Sequence, residues 1–154
     1  MVLVGLPASG KSTWIRDHKL HALSSDQVRY LLSDDEDNQT IHRLVFGTLR
    51  YLVRRRIQAG APVTYLDATS IAPWERRPWI KLAGLLGCEI EAVFFDTPLE
   101  ICLERNAARP RVVPPEVIQS MARRMVRPTV EEGFTRVRVV RATGAAPQAT
   151  AGPG

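Results

Sequence analysis

Apolar positions along this chain follow two periods. Continuous apolar runs at 1–4, 62–67 and 89–96 read as strands, and their lack of polar alternation fits strands covered by helices on both faces. A short run at 21–24 and the stretch 134–140 add two more strands. Between them apolar residues recur every three to four positions, as on one face of a helix. That spacing predicts helices over 12–18, 26–32, 39–59, 73–86, 98–108 and 115–126. The longest, 39–59, sets Ile41, Val45, Leu49, Leu52 and Val53 on one face and stops at Gly60. Pro73 suits the start of its helix, and Gly87 its end. Residues 33–38 (SDDEDN) and 109–114 read as loops. Strands alternating with longer helices make an α/β fold, a parallel sheet flanked by helices.

Composition narrows this to one domain. The chain has 154 residues, 45% hydrophobic and 24% charged, which excludes disorder of the whole chain. No run approaches the roughly 18 apolar residues of a membrane helix, so no membrane partner is expected. The predicted domain is 1–141. Residues 142–154 (ATGAAPQATAGPG) have no periodicity and read as a disordered tail or linker. Cys88 and Cys102 lack metal-ligand spacing and sit in apolar patterns. They read as buried free thiols, and with no basic leader region the expected location is cytoplasmic.

The net charge of +5 is unevenly placed. Residues 101–154 hold nine arginines and four glutamates, while the first hundred residues balance. Arginine's planar fork suits phosphate, although a solvated basic face has the same composition.

One motif carries most of the chemistry. Gly5-Leu6-Pro7-Ala8-Ser9-Gly10-Lys11-Ser12 matches G-x-x-x-x-G-K-[ST] at every fixed position, after a predicted strand and before a predicted helix. The glycines let the backbone turn its N–H groups onto a phosphate, and the helix N-terminus adds a positive end. In such a loop Lys11 bridges the β- and γ-phosphates, the Ser12 hydroxyl binds Mg²⁺, and Thr13 reaches the α-phosphate. The reading is nucleoside triphosphate binding. No Asn-Lys-x-Asp run occurs, which disfavours a GTPase switch.

The residues after the second strand point to the other substrate. Asp26 at a strand end can accept a proton from an attacking hydroxyl, and Arg29, one turn on, can hold an acceptor phosphate. Spacing alone equally allows Asp26 to cap its helix. Arg105 and Arg109, four apart, read as one face of the helix after the fourth strand, with Arg111 continuing into the loop. Together they read as a small arginine-bearing lid that closes on the phosphates and excludes water.

Several motifs occur in a telling order: Asp26-x-x-Arg29, Asp67-Ala68-Thr69-Ser70, Leu103-Glu104-Arg105-Asn106 with Arg109, Val113-Pro114-Pro115-Glu116, and Glu132-Gly133-Phe134. The set resembles the kinase module of the P-loop polynucleotide 5′-hydroxyl kinases, in particular the kinase domain of bacterial RNA-repair polynucleotide kinase-phosphatases. The resemblance spans about 1–141 and implies an adenylate-kinase-like P-loop NTPase fold. It implies transfer of the ATP γ-phosphate, with Mg²⁺, to the 5′-OH end of RNA or DNA. Asp26 would be the general base, and Arg29 would bind the acceptor's 3′-phosphate. Asp67 would sit near the metal. Arg105 and Arg109 would act on the nucleotide, and Thr69 and Val113 on the acceptor side. Ser70 departs from the asparagine common in that family. Two alternatives stay open: a related small kinase acting on a small-molecule hydroxyl, and a nucleotide-binding module without transfer activity. Self-association into a homo-oligomer is left open too.

Other conspicuous residues read as structural. Asp34 to Asp37 lack cation-loop spacing and read as a solvated loop with a helix-capping role, or as one that orients an anionic acceptor. Arg54, Arg55 and Arg56 suit the end of a helix, with nucleic-acid contact as the other reading. Trp14 reads as a packing residue, and so do Trp74 and Trp79, with stacking on bases as their other reading. His18, His21 and His42 show no ligand spacing.

Overall fold

A computed structural model describes residues 1–142. The expected tail lies outside the described residues apart from Ala142. Five strands form one sheet: β1 (Val2–Val4), β2 (Ala22–Ser24), β3 (Tyr65–Asp67), β4 (Glu91–Asp96) and β5 (Arg136–Arg141). The order is β2-β3-β1-β4-β5 and every pairing is parallel. The helices are α1 (Lys11–Asp17), α2 (Ser25–Ser33), α3 (His42–Gln58), α4 (Pro73–Leu85), α5 (Leu99–Ala107) and α6 (Pro115–Arg124). This is the parallel α/β sheet that the alternation predicts, with the phosphate-loop motif between β1 and α1.

The strands' two-residue period sorts the core into layers. Val2 and Val4 of β1 join Val28, Val45, Leu49, Trp79 and Leu82 of α2, α3 and α4. Leu3 points the other way, with Val93 and Phe95 of β4 and with Trp14 and Ile15 of α1. A third cluster, Leu6, Cys102 and Ile118, seats α5 and α6 beside the loop after β1. Both cysteines are free, Cys102 buried and Cys88 half-buried.

Several boundaries shift for identifiable reasons. The strand expected over 62–67 starts only at Tyr65, and its ladder with the first strand ends at the Thr64 carbonyl, which accepts from the Met1 amino group at 2.7 Å. Arg56 takes the preceding segment instead, donating to Thr64 Oγ1 at 3.2 Å and to the Val63 carbonyl at 3.3 Å. The long helix expected over 39–59 splits into a 3-10 turn, Gln39–Ile41, and α3. Asn38 caps the turn by accepting from the Thr40 N–H. Trp74 does not pack: it is 57% exposed, whereas Trp79 is buried. The two are five apart on α4, so they leave the helix on different sides. The face of α4 that does pack is Arg76, Trp79 and Leu82.

Arg76 is the largest fully buried side chain. It pairs bidentately with Glu132, Nε–Oε2 2.8 Å and Nη2–Oε1 2.6 Å, and its Nη1 donates to the Ser70 and Val126 carbonyls. One guanidinium thus ties α4, the loop after β3, the chain leaving α6 and the turn before β5. Glu132 of the E-G-F motif has this structural partner, and Gly133 follows at φ +118°, where a Cβ would meet Ile80. No helix among the described residues is long and apolar enough to cross a membrane.

Candidate nucleotide and acceptor site

A cleft of about 690 Å³ opens at the carboxyl ends of the strands. That size is in the range of ligand pockets, and this edge is where open α/β sheets bind their ligands.

The loop from Gly5 to Gly10 forms its floor. Gly5 cannot carry a side chain, because a Cβ would lie 2.6 Å from Ser9 Oγ and 2.9 Å from Phe95 Cβ. Gly10 has φ +107° and begins α1 with no side-chain cap, so the first N–H groups of that helix stay available. Ala8 sits at φ +61°, a left-handed conformation that costs a non-glycine residue about 1–2 kcal/mol. The loop is pinned to β4 by Thr97, whose Oγ1 donates to the Ser9 carbonyl at 2.8 Å. Pro7, Ala8, Ser9, Ser12 and Thr13 all line the cleft.

Lys11 Nζ donates to the Gly5 and Leu6 carbonyls, each at 2.9 Å. Loss of solvent lowers its pKa, and the nearby Asp67 carboxylate opposes that shift. Asp67, at the end of β3, is raised for the same first reason, with Lys11 pulling it back. Asp26 and Arg109 act on both groups, so the four charges share one neighbourhood.

The predicted acceptor side meets the phosphate loop here. Asp26 and Thr69 both line the cleft, and the Asp26 side chain is 51% exposed. Ser24 accepts from the Gln27 N–H and so caps α2, the role that spacing alone left open for Asp26. Arg29 is placed differently from its expected role. It is 4% exposed, does not line the cleft, and donates from Nη1 to Asp26 Oδ1 at 3.1 Å. Its Nε is buried without a partner. Ser70, the departure from the family pattern, is also buried, and its carbonyl serves Arg76.

Across the cleft stand the arginines expected to form a lid. Arg105 reaches over the phosphate loop, its Nη1 3.7 Å from where a Cβ on Gly10 would be. Arg109 and Val113 line the same space. The helix expected to carry both arginines ends at Ala107, so Arg109 leaves from the turn beyond it rather than from a shared helical face. Asn106 carries no expected role from the sequence. It is buried, donates to the Val113 carbonyl at 2.7 Å and accepts from the Val113 N–H at 3.0 Å. A lone asparagine among apolar helix positions was its only signal.

The acidic loop is not merely solvated. Asp35 caps the Asp37 N–H, while Glu36 and Asp37 each pair with Arg111. Arg111 also holds Asp26, Nη1–Oδ2 3.2 Å. Burial works against its charge, but Asp37 and Asp26 outweigh that and raise its pKa.

Among the described residues no three His, Cys, Asp or Glu side chains are grouped to hold a metal. The two oxygens expected to meet a metal, the Ser12 hydroxyl and the Asp67 carboxylate, both line the cleft. A hard cation that keeps waters and takes its remaining ligands from phosphate fits such a sparse set.

Known proteins share this architecture. A sugar kinase from Janibacter sp. HTCC2649 superimposes with TM-score 0.60 at 17% identity, covering 91% of this chain and 83% of that one. A gluconokinase from Sinorhizobium meliloti 1021 does so with TM-score 0.55 at 14% identity, covering 94% and 83%. A 40-residue stretch is 48% identical to human L-seryl-tRNA(Sec) kinase, covering 26% of this chain and 12% of that protein. At such identities the two structures show the fold alone. The broader match is of residues 1–128 to the family described as AAA domain, and the chain belongs to that family.

Proposed function

We propose that this chain is an ATP-dependent kinase that transfers the γ-phosphate to a hydroxyl of a small acceptor. The observation that carries the reading is Asp26, which shares one cleft with Lys11, Asp67 and the lid arginines. Phosphoryl transfer asks a protein for positioning and positive charge more than for covalent chemistry. The loop N–H groups and Lys11 bind the β- and γ-phosphates. Arg105 and Arg109 neutralise charge on the transferring group. The acceptor oxygen bonds to the γ-phosphorus, its proton goes to Asp26, and ADP leaves. Mg²⁺, held by Ser12 and Asp67, would supply further positive charge on the phosphate oxygens.

Two features favour a small acceptor over the polynucleotide end that the motif order implies. Arg29, the residue expected to read a 3′-phosphate, is buried on Asp26. Glu36 and Asp37 both pair with Arg111, which lines the cleft, and their two carboxylates outnumber its single charge, a balance that disfavours a polyanion there. The sugar kinase and gluconokinase folds are consistent with this choice.

The test incubates the protein with γ-labelled ATP and Mg²⁺ beside a panel of sugars, sugar acids and nucleosides, and beside 5′-OH RNA and DNA oligonucleotides. Label is expected on a small hydroxyl compound. Label on the oligonucleotides alone would restore the polynucleotide reading. ATP binding without transfer to any hydroxyl would leave a nucleotide-binding module.

A further inference from the structure

Asp26 has two carboxylate oxygens, and both are taken. Oδ1 accepts from Arg29, which is buried and one helical turn away on the same helix. That bond is part of the fold. Oδ2 accepts from Arg111, which comes from the lid loop, 85 residues away in sequence, and is 35% exposed. That bond is the removable one. A single exposed ion pair is worth at most about 1 kcal/mol and would not hold a lid residue in place. Arg111 has two further anchors, Glu36 at 3.2 Å from its Nε and Asp37 at its Nη2. Its planar fork thus spans three carboxylates from two elements, which a lysine's point charge cannot do.

Resting on the kinase reading above, the geometry points to Arg111 as a guard on the general base. We propose that it masks Asp26 Oδ2 while the acceptor site is empty and is drawn aside along its tether, Glu36 and Asp37, when an acceptor hydroxyl takes its place. Asp26 lines the cleft that the phosphate loop floors, so water has access to the acceptor side. In the unguarded reaction a water oxygen bonds to the γ-phosphorus and the bond to the β–γ bridging oxygen breaks. The water proton passes to Asp26 Oδ2 and on to solvent, releasing ADP and phosphate. With Oδ2 on Arg111, Asp26 is not free to receive that proton. Arg111 is a positioning residue in this account, and the acidic loop becomes its holder.

The experiment is phosphate release from Mg²⁺-ATP with no acceptor present, so that the identity of the acceptor does not matter. If Arg111 masks the base nine-tenths of the time, R111Q raises the rate about tenfold. The tether variant E36Q/D37N, which touches no group at the phosphates, is expected to raise it in the same direction, and R111K to raise it less than R111Q. Adding D26N to R111Q should remove the gain. Loss of packing would lower hydrolysis, so a rise separates the guard from a merely structural role. Hydrolysis by R111Q at or below the wild-type rate, with ATP still raising the melting temperature of both proteins, overturns the guard and leaves the kinase reading standing. If ATP raises neither melting temperature, the phosphate-site reading falls and the guard falls with it. A rise in R111Q but not in E36Q/D37N overturns the tether.

Discussion

Arg76 and Arg111 each gather several oxygens around one guanidinium, in opposite surroundings. Arg76 is fully buried and holds Glu132 and two carbonyls that belong to three parts of the fold beyond its own helix. Arg111 is partly exposed and holds Asp26, Glu36 and Asp37 across an open cleft. The chemistry of the two clusters is alike, and burial separates their roles. A desolvated pair cannot let go without stranding a charge, so Arg76 acts as a fixture. Solvated pairs exchange with water at little cost, so Arg111 is free to move.

The largest break in that contrast should come from Arg76→Met. It strands Glu132 and two carbonyls, and a loss of about 3–5 kcal/mol in stability is expected by denaturant unfolding. A loss near that of a surface substitution would erase the distinction. Asp26→Asn should show the reverse split. Transfer is expected to fall by at least about a hundredfold while ATP still raises the melting temperature, because the group handles a proton and binds no nucleotide. Ala8→Gly relieves a left-handed residue in the phosphate loop, and calorimetry should show a gain of about 1 kcal/mol. Arg111→Gln should change stability least, by under about 1 kcal/mol, and its difference from wild type should shrink further at high salt. A salt-insensitive loss of several kcal/mol would make Arg111 a second Arg76.

Much of this was legible in the sequence because it is local. The phosphate loop is contiguous, and its glycines are needed for reasons any chain shares. The strand and helix periods are set by one element at a time. What escaped depends on residues far apart. Arg76 reads as one more charge on a helix until Glu132, 56 positions on, lies against it. The acidic run reads as solvated because its partner, Arg111, comes from another loop. Arg29 was legible as belonging with Asp26, from their spacing of three, but not as buried. Trp74 and Trp79 look alike by residue type, and only the phase of α4 tells them apart.

The two hydrogen bonds between Asn106 and the Val113 backbone have a bearing on adaptability. They close residues 107–112 into a small ring whose base is fixed while its rim carries Arg109 and Arg111. Holding the ends in advance removes most of the ordering entropy that a free loop would lose on meeting a ligand. The rim can therefore change in sequence, and even in length, while its anchor stays where it is. Substrate preference in such a chain can drift at the ring without disturbing the sheet beneath it.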